Sequence, residues 1–303
     1  MNSKHSIRGV ALSLVLWCIA FVAGLVVLVG GSVSSWIDAE TLAEKKFVAR
    51  QMALSGLAMG LNPAVKPGDP LLRRGSKDAE GFEVAIANES AKLNPNFWIE
   101  QNNRTIFTRL FASWGADMTA SDAAIDSLKD WIDGDDFLSM KGAERGEYEK
   151  AGRPGFPPNR PIKNIREMEA VMNLAPILAS KEDWRNAFTI WYSGKISIQH
   201  ADPNTLISIA GLTPKQCQAL VEMRAGLDRI EGTDDDQKFQ SMAAVATLLG
   251  ADVRQREALV EFFDTSGDVR RIESTGWCAG VSHKITVIAG EGGSAQLMGW
   301  EER

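Results

Sequence analysis

From Val10 to Val33 the chain is almost wholly apolar. As a helix, about 24 residues would span roughly 36 Å, enough to cross a hydrocarbon core of about 30 Å. Lys4 and Arg8 stand before this run, and no charge follows until Asp38 and Glu40. That asymmetry puts the N-terminus in the cytoplasm and the bulk of the chain beyond the membrane. A secretory signal has a shorter apolar region and ends in a small-residue cleavage site, and none is visible here. A buried core helix rarely stays apolar all round for so long. The pattern then changes but does not break. Asp38–Leu61 holds strong helix formers and no proline, with Phe47, Leu54, Leu57 and Leu61 on one stripe. One helix of about 50 residues is expected, ended by "NPAVKPGDP" at Asn62–Pro70.

Beyond the helix, Phe82, Val84 and Ile86 alternate with smaller or polar residues, which predicts a strand; a polar turn closing at Asn94-Pro95 follows. "TIFTRLFASWG" (Thr105–Gly115) has helical periodicity. Between Ser121 and Val260 the pattern is helix and loop with hardly a strand. "VRRIES", "HKITVIAG" and "AQLMGW" then return to strand type, separated by glycine-rich turns such as "GEGGS". Early and late strands are expected in one small sheet packed on the long helix, with the helical block inserted between them.

Composition narrows the function classes. The net charge of −6 gives a nucleic-acid partner no global attraction. Cys18 lies in the apolar run; Cys217 and Cys278 would lie outside the cytoplasm and could form a disulfide there. The only histidines are His5, His200 and His283, and no G-x-S-x-G, H-E-x-x-H or P-loop occurs, so no enzyme constellation is visible.

Two local patterns carry candidate chemistry. Asp133, Asp135 and Glu144 take positions 1, 3 and 12 of an EF-hand-like spacing, but Phe137 and Leu138 break positions 5 and 6. The carboxylates of Asp133, Asp135, Asp136 and Glu144, with Glu147 near, offer hard oxygen ligands for Ca²⁺; the alternative is a solvated acidic turn. "TDDDQ" (Thr233–Gln237) reads as a solvated loop. The second pattern is "ADPNTLISIAGLTPKQCQALVEMR" (Ala201–Arg224), a helix, tight turn and helix with Asp202 and Thr213 as caps before Pro203 and Pro214. "NIREMEAVMNLAP" (Asn164–Pro176) is a partial relative of it. Helix-hairpin-helix units of this shape bind DNA phosphates through a glycine-rich turn with basic neighbours. Here Thr213 replaces the second glycine, and only Lys215 and Arg224 are basic nearby, which favours a structural or protein-binding role.

These stretches together resemble the K-type minor pseudopilins of the bacterial type II secretion system, the GspK family. The basic leader ending in Arg8-Gly9, "LVLW" at Leu14–Trp17, "NESAKLNPN", "LKDWIDGDD…GAERGEY" and "IQHADPNTLISIAGLT…ALVEMR" are similar to that family's segments in order. Leu14 stands where most pseudopilins carry a glutamate, a departure that favours the K type; Gln199-His200 and Asn88 also depart from the family pattern. The resemblance implies an α+β fold: an N-terminal transmembrane helix continuing into a pilin-like domain, with a large inserted all-α domain containing helix-hairpin-helix-like units. The expected divisions are a leader at 1–9, a membrane segment at 10–33, the pilin-like domain at 34–115 and 261–303, and the insert at 116–260. It also implies cleavage between Gly9 and Val10 by a prepilin peptidase, methylation of Val10, and a place in the inner membrane with a periplasmic bulk. The implied partners are the I-type and J-type minor pseudopilins, contacted through Phe47, Met52 and Leu54, with the protein at the tip of the pseudopilus. Calcium in the inserted domain is implied as well. The competing reading is a membrane-anchored helix-hairpin-helix DNA-binding protein of a competence-like uptake system; a third, a membrane-tethered enzyme, would need a catalytic cleft that the sequence does not announce.

Overall fold

A computed structural model of the chain describes residues 4–229, 231, 235–290 and 297–303, with side chains at 13–28 and from residue 40 onward within those ranges. Helix α1 (Lys4–Leu61) is continuous. Its described apolar stretch, 13–28, is exposed on every side, with Trp17 and Phe21 among the bare residues. Among the described residues, no helix is long and apolar enough to cross a membrane. The expected membrane segment 10–33 and the processing pair Gly9 and Val10 lie partly or wholly outside the residues with described side chains. Glu291–Ser294 of "GEGGS" and Thr233 and Asp234 of the Thr233–Gln237 run lie outside the described residues too.

The C-terminal part of α1 packs on an antiparallel sheet. Its strands are β1 (Arg73–Gly75), β2 (Glu80–Asn88), β5 (Arg270–Cys278), β6 (Val281–Ala289) and β7 (Leu297–Glu302), in the order β1-β2-β5-β6-β7. β2 and β5 pair along their whole length, from Glu80 opposite Cys278 to Asn88 opposite Arg270. Early and late strands thus share one sheet. Alternation along β2 turns Phe82 and Val84 toward α1, where they meet Leu57, Ile272, Ile285 and Val287.

The face of α1 that meets the sheet differs from the expected stripe. The buried positions are Ala49, Ala53, Gly56, Leu57 and Gly60, whereas Phe47 is 62% exposed. A Cβ on Gly276 would lie 2.1 Å from the Ala49 carbonyl oxygen, and one on Gly56 would lie 2.4 Å from Ser274 Oγ. Helix and sheet approach so closely that only small residues fit between them.

The other α-helices among the described residues form a second body inserted between β2 and β5. They are α2 (Pro95–Glu100), α3 (Arg104–Ser113), α4 (Met118–Ile132), α5 (Arg145–Lys150), α6 (Ala175–Ala179), α7 (Pro203–Thr205, extended by a π turn at Leu206–Ala210), α8 (Pro214–Arg224), α9 (Met242–Leu248) and α10 (Val253–Phe262). A short parallel pair, β3 (Ile196–Ser197) with β4 (Phe263–Asp264), ties its middle to its end. Its core holds Phe107, Phe111, Trp131, Tyr148, Leu206 and Phe262. It also takes in Leu93, Trp98 and Ile106, so the helical body begins near Leu93 and the boundary expected at 115/116 falls inside it. Helix α3 is amphipathic as predicted, but periodicity alone does not say which body its apolar face joins.

The two bodies meet at Glu89, which is 1% exposed. Its carboxylate accepts from Thr189 Oγ1 and pairs with Lys92 at 2.6 Å and Arg271 at 3.6 Å. Ser90 Oγ accepts from Val269 N at 3.0 Å. The pairing that the sequence left open is not formed: Cys217, buried in α8, and Cys278, at the end of β5, are both free. They stand in different bodies.

Candidate metal centre and partner face

Helix α4 brings Asp126 and Asp130 onto one face, one turn apart. The chain that follows folds back over them. Asp130, fully buried, accepts from Ser139 N at 3.2 Å, and Asp126 Oδ2 accepts from Lys141 N at 3.0 Å. Gly142 allows the return, since a Cβ there would sit 2.0 Å from Asp130 Oδ2. The result carries Glu144, the N-cap of α5, back against Asp133, the C-cap of α4.

One carboxylate oxygen each from Asp133, Asp135 and Glu144 lies within 4.8 Å of the others, the one such group of acidic, histidine or cysteine donors among the described residues. Glu144 is 4% exposed, and neither of its oxygens finds a hydrogen-bond partner; Asp133 Oδ1 is likewise buried and unpaired. Burial, then the neighbouring carboxylates of Asp130, Asp133 and Asp136, pushes the Glu144 carboxyl up to about 7. Burial and Asp135 also raise Asp133. Converging carboxylates with buried, unpaired oxygens on Asp133 and Glu144 fit a hard divalent cation, which takes oxygen ligands; Asp135 also accepts from Phe137 N at 2.9 Å. The buried, unpaired Oδ1 of Asn159 belongs to the same loop, since its Nδ2 donates to the Asp135 carbonyl at 2.6 Å.

The structure thus gathers three of the four expected ligands. Asp136 falls outside the group: its exposed side chain accepts from Asn159 Nδ2 at 3.0 Å and faces Arg145 at 4.0 Å. Glu147 accepts from Glu144 N at 3.2 Å and caps α5 instead. Sequence reasoning missed Asp130 and Asn159. Asp130 was legible as an acidic residue on the apolar side of α4; Asn159, remote in sequence, was not.

Of the expected partner residues, Phe47 is exposed, and Met52 and Leu54 are half-buried. Met52 and Leu54 pack against the core beneath α1. The hairpin at 201–224 forms as expected, with Asp202 accepting from Asn204 N and Thr205 N, and with Gly211 at φ +70° in the turn. Its α8 N-terminus is closed by its own residues. Thr213 Oγ1 accepts from Gln216 N at 3.3 Å, and Gln216 Oε1 accepts from Thr213 N at 2.9 Å. Arg224 is buried and donates to the Ile198 and Ala201 carbonyls. The amides and one of the two cations that would hold a phosphate are thereby engaged.

Residues 88–181 match the family model of type II secretion system (T2SS) protein K. Over that stretch the chain is similar to protein K. The matched stretch opens where β2 hands over to the helical body and contains the whole carboxylate cluster. This agrees with the resemblance drawn from the sequence motifs. Among solved structures, the chain is similar to one chain of the crystal structure of the GspK-GspI-GspJ complex from the type 2 secretion system of enterotoxigenic Escherichia coli. The identity is 15% and the TM-score 0.61, over 90% of this chain and 98% of that one, a likeness of fold. No curated protein matches the chain.

Proposed function

We propose that the chain is a K-type minor pseudopilin, a structural component of a type II secretion machine. The observation that carries the reading is the protein K match over residues 88–181, set in a helix-on-sheet frame of the same fold as a chain of the GspK-GspI-GspJ complex. In this reading α1 anchors the protein in the inner membrane through residues 10–33. A prepilin peptidase cuts between Gly9 and Val10, and the two folded bodies stand in the periplasm. The bare apolar stretch at 13–28 supports an anchor, since such residues need lipid or other helices around them. The neighbours would be I-type and J-type subunits, by analogy with the complex of the similar chain.

A place at the pseudopilus tip follows from bulk and charge. The inserted helical body is too large to lie between stacked subunits. Leu14, where a glutamate would need a cationic partner from the subunit above, asks for none. Asp133, Asp135 and Glu144 would hold Ca²⁺, which ties the end of α4 to the start of α5. Deleting the gene should stop export of folded proteins across the outer membrane, and N-terminal sequencing should find a mature chain beginning at Val10. Normal export without the protein, or an intact Met1 in cells with active peptidase, would overturn the reading.

A further inference from the structure

The hairpin at 201–224 recurs twice more in the inserted body. Each copy begins with a capping residue, Asn164, Asp202 or Ser241, whose side chain accepts from a backbone amide two or three residues on. Nine positions after the cap, each chain turns through a left-handed residue: Asn173 at φ +62°, Gly211 at +70° and Gly250 at +59°. At the matching inward position, Met168, Leu206 and Val245 are all fully buried.

The second copy (α7 and α8) and the third (α9 and α10) are mates. Gln216 Nε2 donates to the Leu249 carbonyl at 3.1 Å, and Gln255 Nε2 donates to the Gly211 carbonyl at 2.8 Å. The two glutamines stand at the same place, three residues after the caps Thr213 and Asp252, and their side-chain amides bond each other at 3.2 and 3.1 Å. Reciprocal contacts of this kind relate like units about an approximate twofold axis.

The mates differ on one face. In the second copy, Thr205 and Ile209 are buried, at 7% and 1% exposure. Helix α3 packs on this turn; its Arg109 donates to the Ile209 carbonyl at 2.8 Å, with the guanidinium 5.5 Å from the centre of the Phe262 ring. In the third copy the matching residues are Ala244 and Leu248. Ala244 is exposed and Leu248 is 54% exposed, and among the described residues no donor reaches the Leu248 carbonyl. The two faces have nearly the same chemistry: Thr205, Ser208 and Ile209 in one, Ala244, Thr247 and Leu248 in the other. The covered face therefore shows what fits the bare one. It takes a helix with an apolar stripe, as α3 has in Ile106, Phe107, Leu110 and Phe111, and with a basic side chain beside the stripe for the carbonyl.

We infer that the α9 face of Ala244, Thr247 and Leu248 is the docking seat of an amphipathic α-helix from a partner protein, whose basic side chain donates to the Leu248 carbonyl as Arg109 does to Ile209. The seat belongs to the inserted body and stands whether or not the chain is a pseudopilin.

The probe is a fluorescein-labelled peptide of the α3 sequence, residues 103–115, stapled as a helix through positions 108 and 112, off the apolar stripe. Fluorescence anisotropy with the full chain in detergent should give a Kd tighter than about 100 μM. Leu248→Asp and Ala244→Arg should each weaken binding about tenfold or more at unchanged melting temperature, and so should Arg109→Gln made in the peptide. Val253→Asp, across the turn, should change it less than about twofold. A benzophenone amino acid at 248 should crosslink the peptide, and one at 253 should not. No binding would overturn the proposal. So would binding that both seat variants leave unchanged, which would mean that the peptide had exchanged with the chain's own α3, or crosslinking from 253 alone. Light scattering that shows self-association lost in Leu248→Asp would also overturn it, since the occupant would then be a second copy of this chain.

Discussion

Calcium and pH should act on the same carboxylate, and their interplay is calculable. Folding raises Glu144 from 4.5 to about 7, because burial and the carboxylates of Asp130, Asp133 and Asp136 disfavour its charge. A raised carboxyl binds its proton more tightly in the folded state. Its contribution is therefore fully present below about pH 4.5 and is lost as the pH rises through 7. At about 1.4 kcal/mol per pH unit, the loss amounts to about 3 kcal/mol. Burial raises Asp133 and Asp130 as well, in the same direction. For a chain of this size, about 3 kcal/mol corresponds to roughly 6–12 °C of melting temperature. With chelator present, melting should fall by that order between pH 5 and pH 8. A bound divalent cation keeps the carboxylates ionised and removes that fall. At a hundredfold excess over Kd it adds about 2.7 kcal/mol of its own. Scanning calorimetry of the full chain in detergent, with Ca²⁺ or with chelator, is the assay. Glu144→Gln should flatten the pH dependence in chelator and abolish the response to Ca²⁺. Asp136→Ala should keep the response to Ca²⁺, since its side chain points to Asn159, and should only lessen the pH dependence in chelator, since its charge is the last of the three that raise Glu144. The same pH dependence in Ca²⁺ as in chelator, starting from protein shown to be free of calcium, would refute the reasoning. So would a full calcium response in Glu144→Gln.

Three further outcomes are expected. Gly276→Ala should destabilise the sheet body by about 1–3 kcal/mol in denaturant unfolding, because the new Cβ would meet the backbone of α1 at Ala49 and Ala53. Glu89→Gln should cost about 1–3 kcal/mol, since it leaves Lys92 and Arg271 without their buried partner; hydrogen exchange should rise first at the junction around Val269 and Thr189. Duplex DNA at physiological salt should show no micromolar binding to the protein in fluorescence anisotropy, because the α8 N-terminus is occupied by Thr213 and Gln216.

Much of the architecture was legible in pattern. The continuous helix, the alternating strand at Phe82–Ile86, the late strands and the insertion between them all follow from periodicity. The packing face of α1 was not. A search for large apolar residues finds Phe47 and Leu54, whereas the contact is made by alanines and glycines whose merit is their small size. The limit of the helical body was missed for a related reason: α3 shows an apolar stripe, but the stripe does not name its partner. At the carboxylate cluster, spacing brought together Asp133, Asp135 and Glu144. It could not separate Asp136, whose direction is set by Asn159, 23 residues further on.

The central claim is that the protein assembles as a K-type subunit with other minor pseudopilins. Reconstitution with the I-type and J-type subunits of the same secretion machine tests it most directly. The three chains without their apolar N-terminal segments, mixed at micromolar concentration and run on size-exclusion chromatography with light scattering, should elute as one species with the mass of a single copy of each. Separate elution of this chain from a stable I–J pair, at concentrations where that pair holds, would contradict the account.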